Sequence, residues 1–400
     1  MSRSSSILLT VAGRDAPGIA GRLFGALAPL GLPVLDVEQV QVHGRLLLCV
    51  EMGGEPADVD RLKAALGADH PLAGDDLRVS VVALPSTGVR ADPVRHLVTL
   101  LGTSLGSDVL AGMFGRLAEA GANVDRIVRL ADYPVTSYEL TVSGGDPGRL
   151  RRDLSAEAAR QGVDVAVQAA GLHRRAKHLI VLDADSTLLQ GEVIDLLAAR
   201  TGHAEQVAAV TAAAMAGEID FAEALRDRVA LLAGIEAAVL DEVGRDLRLA
   251  PGARTLVRTL RRLGYVTAVV SGGFVQVIGD LAAQLGIDHV AANTLEIESG
   301  RLTGRLIGPL IDRPGKADAL VRFAGLAGVP LSQTIAVGDG ANDLDMLAVA
   351  GLGIAFNAKP LVREAADTSL SVPYLDAVLF MLGISREEIE AADDRHDAEG

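Results

Sequence analysis

The sequence predicts an α/β chain: two βαββαβ half-open sandwiches, then a doubly wound, Rossmann-like parallel sheet carrying a helical cap. Three observations carry this. The first half repeats itself, because "FGALAPLGLPV" (Phe24–Val34) and "FGRLAEAGANV" (Phe114–Val124) share Phe, Gly, Leu, Ala, Gly and Val without a gap, at an offset of ninety residues. Self-similarity at that period marks a duplicated small domain. The second half alternates apolar strands with helical patterns, which implies a mainly parallel sheet with helices on both faces. A long, almost purely helical stretch follows the first of those strands.

Each element of the repeat is legible in order. A strand opens each copy, "SILLTVAG" or "RHLVTLLG", and a helix follows, "GIAGRLFGALAPLG" or "SDVLAGMFGRLAEAG". In the first copy "VLDVEQVQVHGRLLLCVEMGG" reads as two strands turning at His43-Gly44, before a helix "ADVDRLKAALG" and a closing strand "LRVSVVAL". The apolar spacing is that of helices and strands respectively. The order is ferredoxin-like. These limits place the first domain at 1–90, the second at 91–171 and a basic linker "LHRRAK" at 172–177. The third domain spans 178–385, with its cap at about 192–249, and a charged tail, 386–400, is expected to fray.

Bulk properties bound the function. Four hundred residues exceed one ordinary domain. Hydrophobic residues are 49% and aromatics 3%, with no tryptophan, so the cores must be built from Leu, Val, Ile and Ala. A net charge of −15 argues against nucleic acid as a partner, yet allows small phosphorylated substrates in a local cationic pocket. The single cysteine, Cys49, excludes an intrachain disulfide and suits a reducing compartment. The short apolar run near the N-terminus is broken at Arg14 and Asp15, a poor signal peptide, and no apolar stretch is long enough to span a bilayer. A cytoplasmic protein is expected.

The duplicated pattern, with the loop "GRDAPG" (Gly13–Gly18) after the first strand, resembles the ACT family of amino-acid-binding regulatory domains. The resemblance covers about the first 170 residues, twice. It implies a regulatory amino-acid site near Gly13, Asp15 and Gly18, with serine or another amino acid as effector, and a homodimer. The second copy carries "GTSLGSD" at that loop and departs further from a ligand site.

In a doubly wound sheet, ligands bind beyond the carboxyl ends of the strands. Here the strands end in "DADST", "SGG" and "GDGANDLD", and "RPGKADAL" starts a helix between the last two. Two acids after a strand often only cap a helix, and "SGG" alone is usually a turn. Their order in one domain is more specific. It resembles the haloacid dehalogenase superfamily of phosphotransferases over about Lys177–Pro373. "DADSTLLQGEVIDLLA" and "GEIDFAEALRDRVALLAG" are similar to the phosphoserine phosphatases within it, in the long actinobacterial form with two ACT domains ahead. The resemblance implies hydrolysis of O-phosphoserine, the last step of serine biosynthesis.

The residues make physical sense in those roles. Asp183 ends its strand, where a carboxylate can attack phosphorus and split one hydrolysis into two steps. Mg²⁺ would neutralise the repulsion, with Asp183, Asp339 and, by the resemblance, the Asp185 backbone carbonyl as ligands, and Asp343 behind them. The family role of Asp185 is general acid, then base; spacing leaves open whether it holds a proton. Ser271, Gly272 and Gly273 let backbone N–H groups approach phosphate at a helix start. Lys316 also sits at a helix start, where the dipole disfavours a cation, which makes sense if it faces a phosphate and Asp183. Asn342 can orient water or substrate. The resemblance assigns Glu192 to the substrate ammonium and Arg228 to its carboxylate, with Met215 and Phe221 closing over it. A related phosphomonoesterase and an amino-acid sensor with a degenerate catalytic half are the alternatives.

Overall fold

The computed structural model describes residues 5–66, 76–85, 94–171, 177–215 and 219–399. Linker residues 172–176, and the side chains of Met215 and Phe221, lie outside what is described. The chain divides into two compact units, Met1–Pro93 and Val94–Gly400.

The first unit runs β1 (Ser6–Arg14), α1 (Ile19–Leu27), β2 (Val34–Val42), β3 (Arg45–Gly53), α2 (Asp58–Ala65) and β4 (Leu77–Leu84). Its antiparallel sheet has the order β2-β3-β1-β4. Alternation along β1 buries Ile7, Leu9 and Val11 against Ile19, Leu23 and Leu27, which recur every four residues on α1. His43 (φ 47°) and Gly44 (φ 73°) are both left-handed, the twist that a two-residue hairpin turn requires. Gly13 lies inside β1 rather than in the loop beyond it, and a Cβ there would stand 2.0 Å from the Asp76 carbonyl oxygen. All nine residues of β2 are exposed, Val34, Leu35, Val37, Val40 and Val42 among them.

The second unit begins with the repeated motif: β5 (Arg95–Gly102), α3 (Ser107–Glu119), β6 (Ala122–Ala131), β7 (Thr136–Gly144), α4 (Pro147–Gln161) and β8 (Asp164–Ala169), in the order β6-β7-β5-β8. Val98, Leu100, Leu140 and Val142 pack on Met113, Leu117, Leu150 and Leu154 of the two helices. Glu157 of α4 is buried, and its carboxylate accepts from Arg160, Gln161 and Arg116. The bond from Arg160, then that from Gln161, hold its carboxyl down to about 2. A lowered carboxyl favours folding above the unfolded value, and the gain disappears as pH falls toward the folded one. Glu157→Gln should therefore lower the thermal midpoint at pH 7, and the gap to the parent should narrow from pH 4.5 to 2. A gap constant with pH would show that the charge does not matter.

The remainder is a seven-stranded sheet, β12-β11-β10-β9-β13-β14-β15. Its first strand is β9 (Leu179–Asp183), followed by four helices, α5 (Val193–Thr201), α6 (Ala204–Met215), α7 (Phe221–Ala230) and α8 (Ala238–Asp246). Then come α9 (Ala253–Arg262), β10 (Val266–Phe274), α10 (Val275–Leu285), β11 (His289–Glu298), β12 (Arg301–Ile307), α11 (Arg313–Ala327), β13 (Thr334–Gly338) and α12 (Leu344–Val349). The chain ends with β14 (Gly353–Phe356), α13 (Pro360–Ala365), β15 (Thr368–Leu370), α14 (Val378–Met381) and α15 (Arg386–Glu399). The strands from β11 to β15 pair in parallel, while β12 returns antiparallel on β11. That edge hairpin turns at Ser299 and Gly300, both left-handed. β9 lies between β10 and β13, so a crevice opens at their carboxyl ends.

Two features go beyond the expectations. The second βαββαβ motif shares a core with the large sheet: Leu101, Leu130, Val135 and Ala166 pack in one cluster with Ile180 and Leu182. Its edge is also tied on, with Thr368 Oγ1 donating to the Val165 carbonyl (2.9 Å) and Ser371 donating twice to Asp164. The tail, expected to fray, is instead helical as α15. Ile389 is buried, and Asp393 pairs with Arg258 and Arg262 of α9, so its charge is balanced by arginines far away in sequence. Among the described residues no helix is long and apolar enough to cross a membrane.

Candidate active site

The crevice at the ends of β9, β10 and β13 is a cavity of about 240 Å³. Asp183, Asp185, Glu192, Arg228, Gly272, Asp339 and Asn342 all line it. Asp183 is the last residue of β9, 2% exposed. The chain then turns tightly through residues 184–188, with Ser186 left-handed (φ 57°). Ala184 points into the core, and Asp185 returns to the cavity. The Val193 N–H donates to Asp185 Oδ1 (2.8 Å), and Ser271 Oγ donates to Oδ2 (3.0 Å).

Lys316 is fully enclosed in the first turns of α11, 1% exposed. Its Nζ donates to Asp183 Oδ1 (2.5 Å) and to Asp343 Oδ1 (2.7 Å). Burial works against its charge, but the two carboxylates outweigh burial, so the ammonium is held more firmly than in an ordinary lysine. Asp343 Oδ2 accepts from the Gly340 N–H (2.9 Å). The glycines of "GDG" permit this crowding: a Cβ on Gly338 would stand 2.4 Å from Asp343 Cγ, and one on Gly340 2.1 Å from Asn342 Oδ1.

Carboxylate oxygens of Asp183, Asp339 and Asp343 lie within 4.8 Å of one another. Burial, then the Asp343 charge, push Asp339 up to about 6 and raise Asp183 too, against the pull of Lys316. Close like charges and an all-oxygen donor set suit a hard divalent cation, which relieves that repulsion. Burial also raises Asp185, only partly offset by the Val193 bond. Glu192, at the start of α5, is pushed up to about 7 by burial, then by the charges of Asp185 and Asp339. Arg228 of α7 donates through Nε to the Ala224 carbonyl (3.2 Å), and Glu192 supports its charge against burial.

Of the regulatory candidates, Asp15 and Gly18 line a separate hollow of about 300 Å³ in the first unit, with Gln39 and Leu46; Gly13 is not in its wall. Other contributors to the crevice escaped the sequence reading. Thr187 Oγ1 donates to Asp339 Oδ1 (3.2 Å). Asn293, 1% exposed in the middle of β11 where its pairing with β10 ends, donates to the Gly272 carbonyl and accepts from the Ile311 N–H, both at 2.9 Å. A lone Asn in "HVAANTLEI" was the available signal. Lys359, Leu361 and Val362 form the far wall of the cavity.

Comparison with known proteins agrees with this geometry. Residues 180–348 match the haloacid dehalogenase-like hydrolase family, and residues 5–78 and 94–168 each match an ACT domain. The phosphoserine phosphatase of Streptomyces coelicolor is 54% identical over 97% of this chain and 94% of its own. That of Mycobacterium tuberculosis is 52% identical over 98% and 97%. A haloacid dehalogenase family hydrolase of Salmonella enterica superposes with a TM-score of 0.63 at 29% identity, covering 72% of this chain and 98% of that one. A probable phosphoserine phosphatase from Vibrio cholerae gives 0.57 at 32%, over 74% and 88%. With relatives 54% and 52% identical over nearly its whole length, and two ACT domains ahead of the hydrolase match, this chain belongs to the phosphoserine phosphatases of the haloacid dehalogenase-like hydrolases.

Proposed function

We propose that the chain hydrolyses O-phospho-L-serine to L-serine and phosphate through an aspartyl-phosphate. The observation that carries this is Asp183, held from behind by buried Lys316 that also grips Asp343, at the wall of a cavity that Glu192 and Arg228 line too. Asp183 attacks phosphorus as the P–O bond to the serine oxygen breaks, and Asp185 delivers the proton that oxygen needs. Asp185 then takes a proton from water, whose oxygen attacks phosphorus and frees Asp183. Burial favours the protonated Asp185 that the first step requires. Lys316, Ser271 and the Gly272 N–H carry the phosphoryl charge, the Gly273 N–H holds Ser271 Oγ (2.8 Å), and Asn342 orients the group. Asp183, Asp339 and the Asp185 carbonyl would hold Mg²⁺, with Asp343 fixing Lys316 behind them. When bound there, the ion would supply charge neutralisation between carboxylate and phosphate.

Substrate choice belongs to Glu192, which takes the ammonium, and Arg228, whose planar fork takes the carboxylate. Met215 and Phe221 are the apolar residues proposed to close over the serine. Arg228→Ala is expected to lower kcat/KM for phosphoserine about a hundredfold, as for a lost charged hydrogen-bonded partner, with p-nitrophenyl phosphate changed little. Equal losses on both substrates would refute the clamp.

Two further assignments rest on weaker support. The hollow at Asp15 and Gly18 is of a size to take serine or another amino acid as effector. The exposed apolar row on β2 suits pairing with a second copy, as a homodimer. A cytoplasmic location accords with the single cysteine, Cys49, being free.

A further inference from the structure

A second cavity, of about 510 Å³, lies between α4 of the second ACT domain and α13 of the phosphatase sheet. Arg151 and Arg152 stand on one side and Arg363 and Glu364 on the other, over an apolar floor that includes Val163 and Val165. Arg151 is engaged with Asp367 (3.3 Å), whose other oxygen accepts from the Gly353 N–H. Among the described residues, Arg152 and Arg363 make no ion pair. Two exposed guanidinium groups outside any ion pair thus line one cavity with Glu364, and the Asp164 carboxylate is near enough to act on Arg363. An oxyanion in the cavity would take charge-assisted hydrogen bonds from these guanidinium groups.

The wall on the phosphatase side has a second role. α13 and the residue before it serve both cavities: Lys359, Leu361 and Val362 line the active-site crevice, while Pro360, Arg363 and Glu364 line this one. Val362 is 1% exposed, so the short helix is anchored in the core between them. A ligand gripping Arg363 therefore acts on the element that shapes the crevice mouth.

We propose that this cavity binds a small oxyanion, and that its occupancy changes turnover through α13. Coupling requires that the anion bind one arrangement of α13 more tightly than another. The site goes beyond the proposed reaction, and its binding arm does not depend on it. Calorimetric titration of the full chain with inorganic phosphate and, separately, succinate is compared with the Arg152→Ala, Arg363→Ala double variant. The parent should take up one more equivalent of at least one anion than the variant. Loss of phosphate alone marks a tetrahedral ligand, and loss of both marks any oxyanion. Equal stoichiometry and affinity for both anions would overturn the site. The coupling arm follows p-nitrophenyl phosphate hydrolysis, which does not require phosphoserine to be the substrate. The bound anion should change kcat about fivefold or more in the parent. In the variant, kcat without anion should match the parent, and only competition at the crevice should remain. An unchanged kcat in the parent would overturn the coupling.

Discussion

Asp183→Asn abolishes phosphate release and leaves the fold in place: that is the expected result of the largest single change the crevice allows. The amide keeps the shape of the carboxylate and can still accept from Lys316 Nζ, which retains Asp343 as its second partner. It cannot attack phosphorus, so the reaction loses its covalent route. The loss should be about 10⁴-fold or more in kcat, equivalent to about 5.5 kcal/mol. Stability should change little or rise slightly, because a buried charge that burial and Asp343 disfavour has gone. A thermal midpoint near the parent's, with turnover above about 10⁻³ of the parent's, would exclude Asp183 as nucleophile.

Lys316→Met should combine a loss of rate with a loss of stability that depends on pH. The rate should fall about 10²- to 10³-fold, the range for removing one preorganised charge stabiliser. Breaking a buried pair costs about 3–5 kcal/mol, because the partner charges remain in the interior. Here Asp183 and Asp343 would face each other without the ammonium that now touches both. The Asp183 carboxyl, already raised by burial and by Asp343, would then lose the opposing pull of Lys316. A carboxyl raised in the fold destabilises at high pH, and the penalty lifts as pH falls through the folded value. The variant's midpoint should therefore approach the parent's between neutral and mildly acid pH, and added Mg²⁺ should restore stability more than rate. Urea unfolding at several pH values checks the first point, and phosphate release the second. A variant as stable as the parent at every pH would mean that the buried lysine is not balancing those acids.

Much of this was legible in the sequence because the relevant signals are local. A strand that ends in an acid places that acid at a crevice, and two residues further on the chain can return to the same side, as Asp183 and Asp185 do. Lys316 stood out because a cation at a helix start is locally unfavourable. The cap was legible as one long helical stretch, which the structure divides into four helices. Where no local signal existed, the reading missed features. Asn293 and Thr187 look ordinary in the strand and turn that carry them, and their partners are Gly272, Ile311 and Asp339. The tail looked like a solvated charge run because Arg258 and Arg262, which balance Asp393, are remote in the chain. Gly13 was read as part of a ligand loop, but its glycine requirement comes from the Asp76 carbonyl on the neighbouring chain segment.

The sequence by itself determined the duplicated βαββαβ units, the doubly wound sheet and the order of the four motif segments, whose resemblance to a known family implied the chemical class of the reaction. These depend on periodicity, on strand and helix ends, and on residue type, all of which are properties of short stretches. Only the tertiary structure decided that one buried lysine is shared by Asp183 and Asp343, that burial outweighs the hydrogen bonds at Asp185, and that α13 divides two cavities. Proton affinity and ion pairing depend on desolvation and on distances of a few ångströms between groups brought together from different elements. Spacing along the chain carries neither quantity.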